Sequence, residues 1–401
     1  MRLESVVVVG ASLAGLRTVE ALRSHGYEGR LVWIGAEREL PYDRPPLSKE
    51  VLRGEWDAER IALRKDASYA DLRVELRLGV RAESLDLRER AVVLAGGERV
   101  RFDGLVVATG ASPRRLPRTP PLPGIFVLRT LEDALAIRAA LERRPRVAVI
   151  GAGFIGAEVA ASARGLGLDV AMIDVLDRPM ARALDPEMGA LCAALHRDHG
   201  VDLRLGVGVA RFEGEGSVAA IILGDGARVP ADLVVVGIGV APETGWLAGS
   251  GLALGDGVLC DATLAASAPG VVAAGDVARW RHPAFPEPVR AEHWTNAVES
   301  AGAAARRLLA GDAELPPFAP VPFVWSDQYD AKLQIAGHAQ GGDEGAIVHG
   351  SLAERRFVVL YGRRGRLTGA FAMNRPRQLV AARRWLREGL SFADAVARAG
   401  A

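Results

Sequence analysis

Two copies of one glycine-rich pattern constrain the fold of this chain more than any other feature. Residues 6–26 read VVVVGASLAGLRTVEALRSHG and residues 147–167 read VAVIGAGFIGAEVAASARGLG, so three glycines recur at a constant offset. In each copy an apolar run of strand length leads into a glycine turn, and an amphipathic helical pattern follows. The repeat predicts two βαβ units of the same type.

The residue types in each copy have a chemical purpose. The first glycine (Gly10, Gly151) allows a tight strand-to-helix turn, and the N–H groups at the start of the helix bind phosphates. An acid after the next strand, Glu37 or Asp174, accepts hydrogen bonds from ribose hydroxyls. Ser12 replaces the second glycine of the first copy, a small departure. One such pattern is weak evidence, but two copies with correctly placed acids predict two dinucleotide sites.

Later segments extend the repeat. Residues 103–110 (DGLVVATG) correspond to residues 232–239 (DLVVVGIG), and a glycine-containing hairpin signal precedes each. Residues 271–276 (VVAAGD) read as a buried strand that ends in glycine and an acid, and such an acid needs a partner for its charge. A helical stretch follows Trp294.

The last 80 or so residues depart from the nucleotide-binding pattern. Alternating runs at 332–336 and 356–361 predict a small antiparallel sheet, and prolines at 316–322 indicate a linker. A basic helical segment runs from Arg375 to Arg387. Its arginines could dock an acidic partner, although such a charge run is more often a solvated face. These arginines are Arg375, Arg377, Arg383, Arg384 and Arg387.

Composition excludes several functions. A formal net charge of +1 provides no overall field for nucleic acid or an anionic membrane, and no run of residues is long and apolar enough for a membrane span. Cys192 and Cys260 form no CxxC pair, which argues against a redox disulfide and against a thiolate metal cluster. No metal site is predicted, and the cysteine usage is typical of the reducing cytoplasm.

Several longer segments carry a family resemblance. The sequence resembles the FAD-dependent ferredoxin reductases that serve cytochrome P450 and Rieske-type oxygenase systems. The matching segments span residues 6 to about 378 and are VVVVGASLAG, PYDRPPLSK, LVVATG, LRTLEDA, VAVIGAGFIGAEVA, AAGDVA, PFVWSDQYDAKLQIAG and NRPRQL. The resemblance implies electron transfer from NADH through FAD to an acidic [2Fe–2S] ferredoxin, which docks transiently and supplies a P450 or a Rieske oxygenase.

The resemblance also implies a fold. It implies two Rossmann-like domains with glutathione-reductase-like architecture and a C-terminal α+β domain. The expected boundaries are 1–113 with 244–317 for the FAD domain, 114–243 for the NADH domain and 318–401 for the C-terminal domain.

The first glycine pattern is expected to bind FAD. Arg44 and Lys49 would lie along the diphosphate and flavin, Ala82 near the adenine, and Asp276 at the ribityl or diphosphate. Arg129 would lie on the phosphate side, or it could be a solvated surface charge. Trp294 would lie by the isoalloxazine ring, or it could be simple core. The full set implied on this side is Gly10, Ser12, Leu13, Ala14, Gly15, Glu37, Arg44, Pro45, Lys49, Ala82, Thr109, Gly110, Arg129, Gly275, Asp276, His293, Trp294 and Trp325.

The second glycine pattern is expected to bind NADH. A carboxylate at Asp174, with Asp177 nearby, would repel the 2′-phosphate of NADPH, although Arg178 and Arg182 could accommodate a phosphate. Trp325 would approach the flavin or the nicotinamide. The set implied is Gly151, Gly153, Ile155, Gly156, Glu158, Asp174, Arg182, Gly237 and Gly239.

Lysine is scarce in this chain, because Lys49, Lys65 and Lys332 are the only lysines. Lysine and arginine are not interchangeable, since lysine is a compact point charge. We expect Lys49 to pair with Glu158 beside flavin N5 and the two to assist hydride transfer. The alternative for Glu158 is an acid in the first turn of a helix, favoured there by the macrodipole.

Other functions share this architecture. A disulfide reductase needs a reactive cysteine pair, which the sequence lacks. A reductase of rubredoxin or another small acceptor remains open, as does an NADH-sensing flavoprotein similar to apoptosis-inducing factor.

Overall fold

The computed structural model describes residues 3–117, 119–339 and 342–400. The chain divides into two compact units. Unit 1 comprises Met1–Asp43, Ile61–Ser112 and Ala241–Pro322, and unit 2 comprises Arg44–Arg60, Pro113–Val240 and Phe323–Ala401. The expected division into three domains stays a prediction, and its end residues 1, 2 and 401 lie outside the described residues.

Helices and strands are numbered in chain order. The α-helices are α1 Leu13–Ser24, α2 Leu131–Leu141, α3 Phe154–Gly165, α4 Pro186–Asp198, α5 Trp294–Ala310, α6 Pro376–Glu388 and α7 Phe392–Gly400. Short 3₁₀ helices cover Pro45–Ser48, Asp66–Leu72, Gly245–Leu247 and Gly275–Val277. The first strands are β1 Ser5–Val9, β2 Arg30–Ile34, β3 Glu75–Arg77, β4 Ala82–Asp86, β5 Ala91–Leu94, β6 Arg99–Arg101, β7 Gly104–Val107, β8 Ala111–Pro113 and β9 Ile125–Val127.

The remaining strands begin with the second glycine pattern. They are β10 Val147–Ile150, β11 Val170–Asp174, β12 Asp202–Leu205, β13 Val209–Glu213, β14 Ala220–Leu223, β15 Arg228–Pro230, β16 Leu233–Val236, β17 Val240–Pro242, β18 Leu254–Gly255, β19 Gly257–Cys260, β20 Val271–Ala273, β21 Ala278–Trp280, β22 Phe323–Gln328, β23 Ala331–Gly337, β24 Glu344–Ser351, β25 Arg356–Arg363 and β26 Arg366–Met373.

Unit 1 is built on a five-stranded sheet with the order β20-β7-β1-β2-β3. All of its pairings are parallel. The four valines that end β1 are buried, as expected for a central strand covered on both faces. Helices α1 and α5 pack on this sheet and share one core with it. The glycine hairpin expected at residues 96–97 joins β5 and β6.

Unit 2 contains a second parallel sheet, with the order β12-β11-β10-β16-β9. Its pairings are parallel as well. The C-terminal part of the unit is an antiparallel sheet of β22-β23-β26-β25-β24. The fold class expected from the sequence is therefore confirmed, including the C-terminal sheet and the basic helix α6.

Side chains alternate across the C-terminal sheet. Phe357, Val359 and Tyr361 pack in a core with residues of α4. Val358 and Leu360 point to the other face and pack with α6 and α7. A strand that is covered on both faces needs apolar residues at every position, and the run FVVLY in β25 provides them.

A buried histidine joins α4 to the turn after β22. The Nδ1 atom of His196 lies 2.8 Å from the hydroxyl of Tyr329, and the Tyr329 ring stacks on His199 at 3.7 Å between centroids. Burial lowers the pKa of His196 to about 4. Burial also raises the pKa of Tyr329. Both groups are therefore neutral near neutral pH.

No helix among the described residues is both long and apolar enough to cross a membrane.

We predict that His196→Gln will flatten the acid limb of the stability profile. The unfolded state protonates this histidine near pH 6.5, whereas the folded state resists until about pH 4, so folding stability falls as the pH drops between these values. Over that pH range, this residue should lower the free energy of unfolding of the wild type by up to about 3 kcal/mol. The variant should show no such decrease. Thermal unfolding as a function of pH measures the difference, and identical profiles would contradict the prediction.

Candidate functional site

The first glycine turn brings backbone segments into direct contact in unit 1. A Cβ atom on Gly10 would lie 2.1 Å from the carbonyl oxygen of Ala108, and one on Gly15 would lie 1.9 Å from the oxygen of Gly10. The indole of Trp33 donates to the same Gly10 oxygen at 2.9 Å. Only glycine permits this approach, so α1 begins directly at the end of β1 and β7.

The second turn repeats this geometry in unit 2. A Cβ atom on Gly151 would lie 2.3 Å from the oxygen of Gly237, and one on Gly156 would lie 1.9 Å from the oxygen of Gly151. Around Gly153, by contrast, a Cβ atom would meet no atom within 4 Å. The turn therefore leaves open space in front of the first residues of α3.

The helix starts behind both turns lack side-chain caps. Ser12 precedes α1, and its side chain accepts no cap hydrogen bond; Gly153 precedes α3 and has no side chain to accept one. Within the first turn, neither helix carries an acid. A helix start has N–H groups without intrahelical partners and a positive dipole end, so both sites suit a diphosphate.

The expected ribose acids lie beyond these turns. In unit 1 the carboxylate of Glu37 accepts a hydrogen bond from Tyr42. In unit 2 Asp174 ends β11, and its two oxygens accept hydrogen bonds from the backbone N–H groups of Ala152 at 2.6 Å and Leu176 at 2.8 Å. These two bonds hold the Asp174 carboxylate beside the glycine turn.

The segment around Asp276 meets the first turn. A Cβ atom on Gly275 would lie 2.9 Å from that of Ala14, and the hydroxyl of Ser300 accepts from the Gly275 N–H at 2.9 Å. Nearby, the Nδ1 atom of His293 and the amide oxygen of Asn296 are buried without a hydrogen-bond partner. Unpartnered buried polar atoms are costly, so they suggest a bound group that supplies partners.

The structure also decides two alternatives that the sequence left open. The indole N–H of Trp294 donates to Asp43 at 2.7 Å, and its ring packs against the core of unit 1. Trp294 is thus neither simple core nor fully exposed. Arg129 is half-buried, and its carbonyl oxygen accepts from Arg44 at 2.5 Å. The contact expected between Arg129 and the FAD phosphates stays a prediction.

The other expected contacts divide between the units. Residues in unit 1 are Leu13 at the start of α1, the buried Ala82 that begins β4, Thr109, whose hydroxyl donates to the Glu243 carbonyl, and Gly110. Residues in unit 2 are Pro45 at the start of a 3₁₀ helix, Ile155 and Arg182, which are exposed, Gly239, and Trp325 in β22.

Unit 2 contains the expected pair of Lys49 and Glu158. The ammonium of Lys49 lies 2.9 Å from Glu158 Oε2, and both side chains are about nine-tenths or more buried. The hydroxyl of Ser48 donates to the same oxygen at 2.5 Å. The other oxygen of Glu158 accepts from the hydroxyl of Ser326 at 2.8 Å. A buried carboxylate needs such partners, and here it has three.

The position of Glu158 on its helix differs from the expectation. Helix α3 begins at Phe154, so Glu158 lies in the second turn rather than the first. The macrodipole acts mainly within the first turn, and an acid held there for that reason would face solvent. Its burial and its three partners make the ion-pair interpretation the better one.

Sequence reasoning missed several residues that complete these sites. Ser48, Ser326 and Tyr42 donate to the carboxylates of Glu158 and Glu37, and Asp43 accepts from Trp294. Each lies within two or three residues of an expected site residue or inside a matching segment. Polar residues in the PYDRPPLSK and WSDQY segments were the signal available.

Comparison with known proteins identifies the class. The family model of pyridine nucleotide-disulphide oxidoreductases matches residues 4–301, and the reductase C-terminal model matches residues 323–399. The chain therefore belongs to the pyridine nucleotide-disulphide oxidoreductase family.

Individual relatives narrow the assignment. The chain is 38% identical to rhodocoxin reductase of Rhodococcus erythropolis over 95% of this chain and 89% of that protein. It is 39% identical to the ferredoxin–NAD(+) reductase component of the anthranilate 1,2-dioxygenase system of Burkholderia cepacia, over 97% and 95%. The reductase in the covalent putidaredoxin reductase–putidaredoxin complex has a TM-score of 0.92 and 35% identity, over 97% and 94%.

Within its family, the chain is one of the FAD-dependent ferredoxin–NAD(P)⁺ reductases of oxygenase systems. The family resemblance expected from the sequence is confirmed. The oxidoreductase class of the protein and its cofactors, FAD and NAD(P)H, are confirmed with it. The described residues fit both cofactors. Two uncapped helix starts lie behind glycine turns, and the unpartnered atoms of His293 and Asn296 lie in unit 1.

We predict opposite outcomes for two alanine substitutions in the second turn. Gly156→Ala places a Cβ atom against the Gly151 oxygen and should destabilise the fold by several kcal/mol or prevent folding. Gly153→Ala meets open space and should leave the melting temperature nearly unchanged, but its methyl group occupies the space before the helix start and should weaken NADH binding about tenfold or more. Calorimetric melting and titration with NAD⁺ measure both effects. Equal behaviour of the two variants would contradict this assignment.

Proposed function

We propose that this chain uses NADH as donor, passes electrons to an acidic [2Fe–2S] ferredoxin, and so supplies a cytochrome P450 or a Rieske oxygenase. When bound, FAD takes an electron pair from NADH as hydride and can release the electrons singly. The roles given below to individual residues are part of this proposal.

One observation carries the proposal: the chain has two dinucleotide turns, but its two cysteines do not form a reactive pair that could take electrons from the flavin. Its two cysteines lie in different units, both are free and buried, and burial raises each thiol pKa to about 12. A redox-active cysteine must be an accessible thiolate. Electrons must therefore leave to a separate protein or small molecule, which excludes the disulfide-reductase chemistry of other family members.

The geometry around Asp174 supports NADH as donor. Two backbone N–H groups hold its carboxylate in place, where a 2′-phosphate would meet a fixed negative charge. Arg178, which could have offset this repulsion, pairs with Asp177 at 2.7 Å. Discrimination against NADPH follows from the repulsive element as much as from the ribose hydrogen bonds.

The Lys49–Glu158 pair supports a role in donor handling. A buried ion pair contributes little to stability, because the desolvation of both charges offsets their attraction. Its presence next to the second glycine turn therefore points to function. We propose that Lys49 and Glu158 orient the nicotinamide and that the pair rearranges when it enters.

The outward face of α6 supports a ferredoxin acceptor. Arg377, Val380, Arg384 and Arg387 recur at three- and four-residue spacing, so they share one face of the helix. The three arginines are exposed, and Val380 is 71% exposed. We call these four residues the α6 stripe. An exposed apolar side chain among cations suits a small acidic protein that docks transiently.

Arg383, which the sequence also suggested for docking, has a different environment. Its guanidinium lies 5.1 Å from the centre of the Phe323 ring, and the residue is half-buried. A charge reversal there would disturb packing as well as charge, so Arg377 and Arg387 are the better positions to test.

We further propose that the protein works in the cytoplasm. Two free cysteines without a disulfide are typical of a reducing compartment.

The buried pair gives a prediction that separates stability from function. Lys49→Met leaves the Glu158 charge without its counter-ion and should destabilise the fold by about 3 kcal/mol or more. The double variant Lys49→Met/Glu158→Gln removes both charges at similar volume and should recover most of that loss. If the pair handles NADH, the double variant will still show slow flavin reduction and weak NADH binding in stopped-flow experiments. If the double variant instead recovers both the rate of flavin reduction and the affinity for NADH, the pair has a structural role only.

The ferredoxin assignment predicts partner-dependent turnover. NADH-driven cytochrome c reduction by the purified flavoprotein should be slow alone and rise strongly with an added [2Fe–2S] ferredoxin. Arg377→Glu/Arg387→Glu should raise the KM for ferredoxin about tenfold or more at low salt and leave flavin reduction by NADH unchanged, because surface charge steers association.

The matched control is Arg143→Glu/Arg197→Glu, which makes the same change in net charge at exposed positions of unit 2 outside α6. An equal rise in KM in the control would show that only total charge matters. If several ferredoxins give no stimulation while NADH still bleaches the flavin, the acceptor is another small protein or the chain is a sensor.

A further inference from the structure

Ser326 contacts the Glu158 carboxylate on the side opposite Lys49. Lys49 and Ser48 donate to Oε2 of Glu158, whereas Ser326 is the donor to Oε1, at 2.8 Å. Ser326 is fully buried, and Glu158 is 4% exposed. Water therefore has little access to replace the Ser326 hydroxyl if it is removed.

Gln328 completes the hydrogen bonding of the Ser326 hydroxyl. A side-chain amide nitrogen can only donate, and Gln328 Nε2 lies 3.1 Å from the Ser326 oxygen. The Ser326 hydroxyl therefore accepts from Gln328 and has its one proton left for Glu158. Hydrogen bonds in such a chain polarise one another, which strengthens the bond to the carboxylate.

The next residue anchors this short chain. Tyr329 follows Gln328 in the turn after β22, where its hydroxyl bonds His196 and its ring stacks on His199. The backbone that presents Ser326 and Gln328 is thus held to α4, one residue beyond the end of the polar chain. Ser326 has little freedom to follow Glu158 if the glutamate moves.

A carboxylate held at one oxygen can rotate about its last bond, because that torsion is broad. Bonds on both oxygens define its plane, and the plane determines where the Lys49 ammonium lies. The contact between Ser326 and Glu158 therefore orients the carboxylate as well as joining β22 to α3.

We propose that Ser326, oriented by Gln328, is a positioning residue that sets the plane of the Glu158 carboxylate and thereby the reactive geometry of the Lys49–Glu158 pair. The segment from Phe323 onward would then contribute to handling of the donor as well as to docking of the acceptor. This inference rests on the donor-handling role proposed for the pair.

The experiment is a double-substitution cycle on the complete flavoprotein. Ser326→Ala is made in the wild type and in Glu158→Gln, and two quantities are measured: the Kd for NAD⁺ of the oxidised protein by calorimetry, and the rate of flavin reduction by NADH. In the wild type, Ser326→Ala should weaken NAD⁺ binding or slow reduction about tenfold, as expected for a lost bond to a charged group. In Glu158→Gln the same substitution should have less than about a twofold effect.

The control is Thr368→Val. Thr368 lies in β26 of the same C-terminal sheet, and its hydroxyl hydrogen-bonds Asp343 at 3.1 Å and the Tyr361 carbonyl oxygen at 3.2 Å rather than a residue of the Glu158 site. It should have the same effect in both backgrounds. A Ser326→Ala effect that is also equal in the two backgrounds would overturn the positioning role, because the hydroxyl would then act on the fold in general.

The cycle also separates this inference from the proposal it rests on. If Glu158→Gln alone leaves NAD⁺ affinity and reduction rate unchanged, the donor-handling role of the pair fails. If Glu158→Gln changes them and Ser326→Ala does not, only the positioning role fails. Should Ser326→Ala not retain flavin, Gln328→Leu replaces it in the same cycle, since it removes the group that orients the Ser326 proton.

Discussion

Direct contact between backbone segments at two glycine turns is the constraint on which both units depend. At each turn a strand end, a helix start and a neighbouring parallel strand approach so closely that a Cβ atom on Gly15 or Gly156 would lie 1.9 Å from a carbonyl oxygen. The contact places the start of α1 or α3 just past the carboxyl end of β1 or β10. It also leaves the helix N–H groups without side-chain caps, so each unit presents an anion site as a consequence of its own folding.

The burial of Glu158 imposes the second constraint. A carboxylate away from water must find donors, and here they come from two segments that are distant in sequence from α3: Ser48 and Lys49 after the first βαβ unit, and Ser326 in β22. The same contacts tie the C-terminal sheet to the helix behind the second glycine turn. The C-terminal sheet thus supplies a hydrogen-bond donor to a residue of the second glycine pattern.

The two cysteines bear on where electrons leave the flavin. Both thiols are free and buried with raised pKa values, so they do not form the reactive pair through which a disulfide reductase passes electrons. The exposed side of α6 offers cations around one apolar residue, whereas the apolar side of the same helix packs on the C-terminal sheet. A single amphipathic helix therefore serves the core and presents a surface suited to a small acidic protein.

The sequence by itself determined the two βαβ units, the acids at Glu37 and Asp174, the antiparallel C-terminal sheet and the pairing partner of Lys49. These follow from periodicity, glycine spacing and matching segments, which are local properties of the chain. Only the tertiary structure decided that Glu158 is buried in the second helical turn of α3 and that Ser326 completes its hydrogen bonds. Only the tertiary structure, too, decided that Arg383 packs on Phe323 while Arg377 and Arg387 face outward. Burial and hydrogen-bond partners depend on which segments distant in sequence come into contact, and a local sequence pattern does not predict those contacts.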